Sequence, residues 1–155
     1  MRNVFWVVLT LAVVCAQPVR AQREKLSWDD RVAVEKTWPN AIKSSTGLRY
    51  LVLNEGTGDA RPQPGDQVSV LYQGRLLNGN VFGESLDRAK PFKIRVGRDE
   101  LIAAWEEALK QMRVGEKRLI IVPYELGYGT RGDPPRIPRR ATLVFEIELL
   151  GIRKE

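Results

Sequence analysis

The sequence predicts an α+β fold in which a curved antiparallel sheet wraps over one short helix. Three observations carry that expectation. Val68-Ser69-Val70-Leu71-Tyr72 and Thr142 to Leu150 alternate along the chain and are rich in β-formers, as half-buried strands are. Asn78-Gly79 stands after the first of these runs, a strong short-range hairpin signal. Ile102, Trp105, Leu109 and Met112 repeat at helical spacing, the one strong helix signal of the domain.

Taken in order, residues 1–21 read as a secretory leader. Arg2 supplies a short positive start, Val4 to Cys15 is almost entirely apolar, and Val19-Arg20-Ala21 offers a small-residue cleavage site. The apolar run is shorter than the roughly twenty residues needed to cross a bilayer. Ala12-Val13-Val14-Cys15 resembles a lipoprotein box, with lipidation of Cys15 as the minor alternative; valine before the cysteine departs from the usual small residue. Residues 22–46 form a polar N-terminal extension with scattered Trp28, Val32, Val34 and Trp38, broken by Pro39, for which docking and mobility are both open.

The domain proper is assigned to residues 47–155. Gly47 to Leu53 reads as a strand ending in the turn cluster Asn54 to Gly58, and Pro62, Pro64 and Gly65 punctuate the next connection. Val68 to Leu77 is the second strand, Val81-Phe82 starts its return, and Pro91 to Val96 is another strand. Asp99 and Glu100 lie near the helix start, where the helix dipole favours acids, and Gly115 lies just beyond its end. Arg118 to Val122 is a β-branched strand, Tyr124 to Arg140 is a long Gly- and Pro-rich loop, and Thr142 to Leu150 is the last strand.

Composition narrows the chemistry. With 155 residues, 43% hydrophobic and 28% charged, one globular core is expected. There is no histidine, and the only cysteine lies in the leader, so the mature chain has no disulfide, thiolate nucleophile or cysteine metal ligand. The formal charge is +6; Arg2 and Arg20 of the leader carry two of those charges, which leaves +4. Acids interleave with the remaining bases, as in Glu116-Lys117-Arg118, the pattern of a solvated surface and not of a nucleic-acid stripe. Glu106-Glu107 are helix neighbours that share no face, a poor arrangement for acid–base or metal work.

What the chain does offer is aromatic residues spread over half its length: Tyr72, Phe82, Trp105, Tyr128 and Phe145. Such a set builds an apolar cup without the commonest proton shuttle. Rotation about the bond preceding proline is the leading reaction that needs only a shaped, water-poor pocket.

The run Lys90-Pro91-Phe92-Lys93, the helix with Trp105-Glu106-Glu107, the pair Val114-Gly115, the stretch Tyr124 to Gly129 and the ending Ala141 to Leu150 together closely resemble the FKBP family of peptidyl-prolyl isomerases. The resemblance covers about Gly47 to Ile152. It implies a half-barrel sheet around one short helix, catalytic side chains Tyr72, Phe82, Trp105, Tyr128 and Phe145, and substrate-binding residues Phe92, Leu101, Ile102 and Ile137. Trp105 would form the pocket floor, with the Ile102 N–H and the Tyr128 phenol donating to ligand carbonyls. No cofactor or metal is implied. The implied partners are proline-containing polypeptides, exported or envelope proteins in a periplasmic setting, and macrolides.

Some positions depart from the family pattern. Gly83 stands where an aspartate usually follows Phe82, which weakens the expectation of macrolide binding and keeps open a proline-recognising module or holdase with little turnover. Arg136 occupies a usually apolar position, and Asp133 and Arg140 stand where histidines are common. Arg131-Gly132-Asp133 spells an adhesion tripeptide, but three residues recur by chance and these fall inside the pocket loop.

Overall fold

The computed structural model describes residues 24–154. The leader, Cys15 and the cleavage site lie outside the described residues. Helix α1 (Trp28–Thr37) and strand β1 (Ile42–Lys43) come first, followed by β2 (Arg49–Asn54), β3 (Gln67–Leu76), β4 (Val81–Ser85) and β5 (Phe92–Arg95). Helix α2 (Ala103–Gln111), β6 (Lys117–Val122), a 3₁₀ turn (Tyr124–Leu126) and β7 (Leu143–Arg153) complete the chain.

The seven strands form one antiparallel sheet in the order β1-β2-β6-β7-β3-β4, with β5 paired to the other half of β3. The long partners β3 and β7 form its centre, paired from Gln67 opposite Arg153 to Leu76 opposite Leu143 with a register shift between Ser69 and Val70. Val68, Val70, Leu143, Phe145, Ile147 and Leu149 are buried in the core with Ala104, Trp105, Ala108, Leu109 and Met112 of the α2 region. Alternation places these strand residues on the concave face, and burial of the α2 stripe against them orders the core.

The helix differs in detail from the expectation. Ile102 and Met112 are its caps and not members, and the acid in the first turn is Glu106. Asp99 instead accepts a hydrogen bond from the Arg95 N–H at 2.7 Å. Glu106 accepts from the Gly97 N–H at 2.8 Å and pairs with Lys110 at 3.0 Å, while Glu107 accepts from the Thr46 hydroxyl at 2.6 Å. The two glutamates thus serve different local contacts.

Of the two alternatives open for the extension, the structure shows docking, as a second layer. Leu26 and Val34 are buried against Leu119, Ile121 and Val144 on the convex face, with Trp38, Ala41, Leu51 and Leu77 at the margin. The described part of the extension therefore docks. Ser27 caps α1 by accepting from the Asp30 N–H, Asp29 and Asp30 occupy its first turn and Lys36 its last, all favourable to the helix dipole. The Thr142 hydroxyl donates to Asp30 Oδ2 at 2.7 Å, and Arg49 pairs with Glu24 at 2.9 Å, tying the layer to the sheet.

Candidate active site

The concave face carries a cavity of about 500 Å³, between the sheet, the start of α2 and the loop after β6. Trp105, in the first turn of α2, lies almost wholly buried at its base and is lapped by three rings. Tyr72 meets it at 5.1 Å between ring centroids and 81°, Phe145 at 5.6 Å and 85°, and Phe92 at 6.4 Å and 85°. Phe82 completes the wall, edge-on to Phe145 at 5.5 Å. Edge-to-face packing fixes the rings and leaves apolar faces and edges around one hollow.

Local backbone devices aim these side chains. Period-two alternation puts Tyr72 and Gly74 on the same face of β3. Between β3 and β4 the register shifts, so that Gly74 faces Gly83 while Arg75 faces Val81, and Phe82 is the extra residue. That bulge lets consecutive Phe82 and Gly83 both line the cavity. Gly74 has to be a glycine: a Cβ there would stand 2.7 Å from atoms of both Phe82 and Phe145.

The loop between Tyr124 and Arg140 forms the rim. Its tip closes through paired backbone bonds between Asp133 and Ile137, both 2.9 Å, and Ile137 is buried against the cup. Gly132, at φ +70, turns where any Cβ would collide with the Ile137 and Pro138 carbonyls. Asp133 pairs with Arg136 at 2.6 Å, and both line the cavity. The Arg131-Gly132-Asp133 tripeptide is thus held in the pocket loop, with its carboxylate engaged.

Hydrogen-bond donors face this hollow. The Tyr72 and Tyr128 hydroxyls and the Ile102 N–H each have no hydrogen-bond acceptor among the described residues, and all three residues line the cavity. Partial burial pushes the Tyr128 phenol up from its ordinary pKa, the Asp133 charge adds to that, Arg136 opposes it and Tyr72 contributes slightly. The hydroxyl therefore keeps its proton throughout the neutral range.

All nine side chains anticipated for the site, Tyr72, Phe82, Phe92, Leu101, Ile102, Trp105, Tyr128, Ile137 and Phe145, line this single cavity. Glu100, Ala103 and Gly127 also line it and were not anticipated. Glu100 follows from the entry into α2, since the residues just before a helix face the same space as its first turn. Gly74 was overlooked because only the three-dimensional approach of two rings makes it necessary.

Residues 58–150 match the family model described as FKBP-type peptidyl-prolyl cis-trans isomerase. The chain is 44% identical over 109 residues to FK506-binding protein 1A of Aspergillus fumigatus, spanning 70% of this chain and 97% of that protein. It is 41% identical over 106 residues to a peptidyl-prolyl cis-trans isomerase of Schizosaccharomyces pombe, across 68% of this chain and 95% of the relative. A crystal structure of a peptidyl-prolyl cis-trans isomerase from Pseudomonas syringae pv. tomato is similar with a TM-score of 0.70 and 31% identity, covering 81% of this chain and 92% of that one. Aromatic cup, sheet topology and sequence agree: the chain belongs to the FKBP-type peptidyl-prolyl cis-trans isomerase family.

Proposed function

We propose that this cup accelerates cis–trans rotation of X-Pro bonds in exported proteins by desolvating and twisting the imide, with no proton transfer. The observation that carries the reading is the edge-on packing of Tyr72, Phe92 and Phe145 around Trp105 beneath an open hollow. A prolyl ring fits against the indole, and the preceding carbonyl lies toward the loop.

The barrier to rotation is about 18–20 kcal/mol because twisting breaks the resonance that gives the C–N bond its double-bond character. The planar imide is the more charge-separated form, so moving it from water into an apolar cup raises the ground state more than the twisted state. A ten-thousandfold acceleration needs about 5.5 kcal/mol of differential stabilisation. Desolvation supplies part of this, and the bent geometry enforced between Tyr128 and Ile137, with the Tyr128 hydroxyl on the carbonyl, supplies the rest.

What supports the exported setting is the leader-like start of the sequence and the lack of cysteine after it, which makes the mature chain indifferent to an oxidising compartment. Uncatalysed prolyl isomerisation takes tens to hundreds of seconds, long enough to limit folding there. The macrolide pocket of the family corresponds to the same cup, with Gly83 removing one polar contact.

Two measurements test the reading. The full chain expressed in a Gram-negative host should be recovered from the periplasm with Gln22 at its N-terminus; an intact leader in the cytosol would contradict the setting. Refolding of a proline-limited secreted substrate should lose its slow phase when the mature chain is added. Suppressed aggregation with the slow phase intact would instead mark a holdase.

A further inference from the structure

We propose that Arg136 reads the side chain of the residue preceding proline and favours an acidic one, so that the cup is tuned to Glu-Pro and Asp-Pro segments of its clients. The inference rests on the isomerase reading and adds a substrate class to it.

Charge at the mouth of the cavity is divided by position. Between Tyr128 and Arg140 the rim loop carries Arg131, Arg136, Arg139 and Arg140 against Asp133 alone, a net charge of +3 and thus half of the chain's formal +6. All four arginines are exposed. The charged residues that line the cavity itself are Arg136 and Asp133 on this loop and Glu100 just before α2. A client carboxylate is therefore drawn toward the loop and repelled from the helix side.

Arg136 has donors to spare. Its Nη2 donates to Asp133 Oδ2 at 2.6 Å, whereas a guanidinium offers five N–H groups in a planar fork. The side chain is 66% exposed, and an exposed ion pair of this kind is weak enough to exchange partners. A second carboxylate can share or take the fork in the bidentate manner that arginine favours. Arg139 is tethered through Nε to the Thr130 carbonyl at 3.3 Å, and Arg131 and Arg140 make no ion pair among the described residues. None of these three lines the cavity, so they supply field and Arg136 supplies the seat. In the seating proposed above, the carbonyl preceding proline lies toward the loop. That brings the residue which owns it to the side where Arg136 adjoins the buried Ile137.

The test compares Ala-Glu-Pro-Phe with Ala-Gln-Pro-Phe, both with neutral N-terminal caps, in a chymotrypsin-coupled assay, because Glu and Gln match in size and differ in charge. Wild-type kcat/KM is expected to favour the Glu peptide about two- to five-fold at low salt, the range of one exposed charge pair. In about 1 M salt the ratio should shrink toward one. Arg136→Gln is expected to bring the low-salt ratio to about one; Asp133→Asn, which removes the competing carboxylate, is expected to raise it. A wild-type ratio of one or below, or a ratio that Arg136→Gln leaves in place, overturns the proposal. If Arg136→Gln loses the Trp105 fluorescence of the folded cup, Asp133→Asn decides, a higher ratio supporting the role and an equal or lower one overturning it. A wild-type chain that accelerates neither peptide removes the isomerase reading and this inference with it, whereas equal acceleration of both removes only the charge selection.

Discussion

Gly74 faces Phe145 across the β3–β7 ladder, and the Phe145 ring occupies the space that a side chain at 74 would need, 2.7 Å from its Cβ position. The Phe82 ring closes on the same point from β4. One missing side chain thus allows two aromatic walls to meet. Gly74→Ala should cost about 1–3 kcal/mol by overpacking and should depress turnover by pushing both rings off position. Chemical denaturation and peptide turnover measured together check this; a stable, fully active variant would show that the walls are not held there.

Tyr128 sits at the rim with its proton held more firmly than in a free phenol, chiefly through partial burial, with the Asp133 charge adding. Tyr128→Phe should lower kcat/KM roughly ten-fold, the value of one hydrogen bond to a polar transition state. Unchanged turnover would remove the hydroxyl from the mechanism.

No histidine is present, and the phenol of Tyr128 is raised from its ordinary pKa, chiefly by partial burial. A raised pKa means the donor form persists as pH increases. Turnover should therefore stay level from about pH 6 to about pH 9 and decline only when Tyr128 ionises. A bell-shaped profile within that window would point to general acid–base chemistry.

Glu24 anchors the N-terminal layer with a carboxyl held at about 2 against an ordinary 4.5. Burial alone would raise it, but hydrogen bonds from Lys43 and the Leu26 N–H and the charge of Arg49 outweigh burial. Because the folded value is the lower one, its stabilisation is present above pH 4.5 and is lost as pH falls toward 2. Glu24→Gln should cost about 1–2 kcal/mol at neutral pH after allowance for its partial exposure, and should flatten the acid limb of the stability curve. Thermal melts across that range check it; parallel acid limbs in both proteins would refute the assignment.

Val34 is fully buried between α1 and the convex face, opposite the cup. Val34→Ala should lower stability by about 1–3 kcal/mol and leave kcat/KM of the surviving folded protein unchanged. Denaturant titration with parallel kinetics checks both halves. A loss of turnover at full folding would mean that the back layer shapes the pocket.

Much of the cup was legible because its residues lie on segments with strong local signals. Tyr72 falls in an alternating strand, Trp105 in the single clear helical stripe, and Tyr128 in a glycine-marked loop. Helix α1 was not legible: Trp28 and Val32 are exposed and Val34 alone is buried, so no apolar stripe announces it. A signal did exist in Leu119-Ile120-Ile121-Val122, where every residue is buried. An unbroken apolar run in an antiparallel sheet means that both faces are covered, and Leu26 and Val34 cover the second. The bulge that turns both Phe82 and Gly83 inward was hidden for another reason, since register depends on the partner strand.

The most direct measurement is the interconversion rate of a proline tetrapeptide with residues 22–155, followed by coupled proteolysis. A dry aromatic cup that turns the imide without a proton predicts kcat/KM of about 10⁴ M⁻¹s⁻¹ or more, level with pH and competed by a macrolide that fills the hollow above Trp105. A peptide that binds in that hollow yet interconverts at its uncatalysed pace would contradict it.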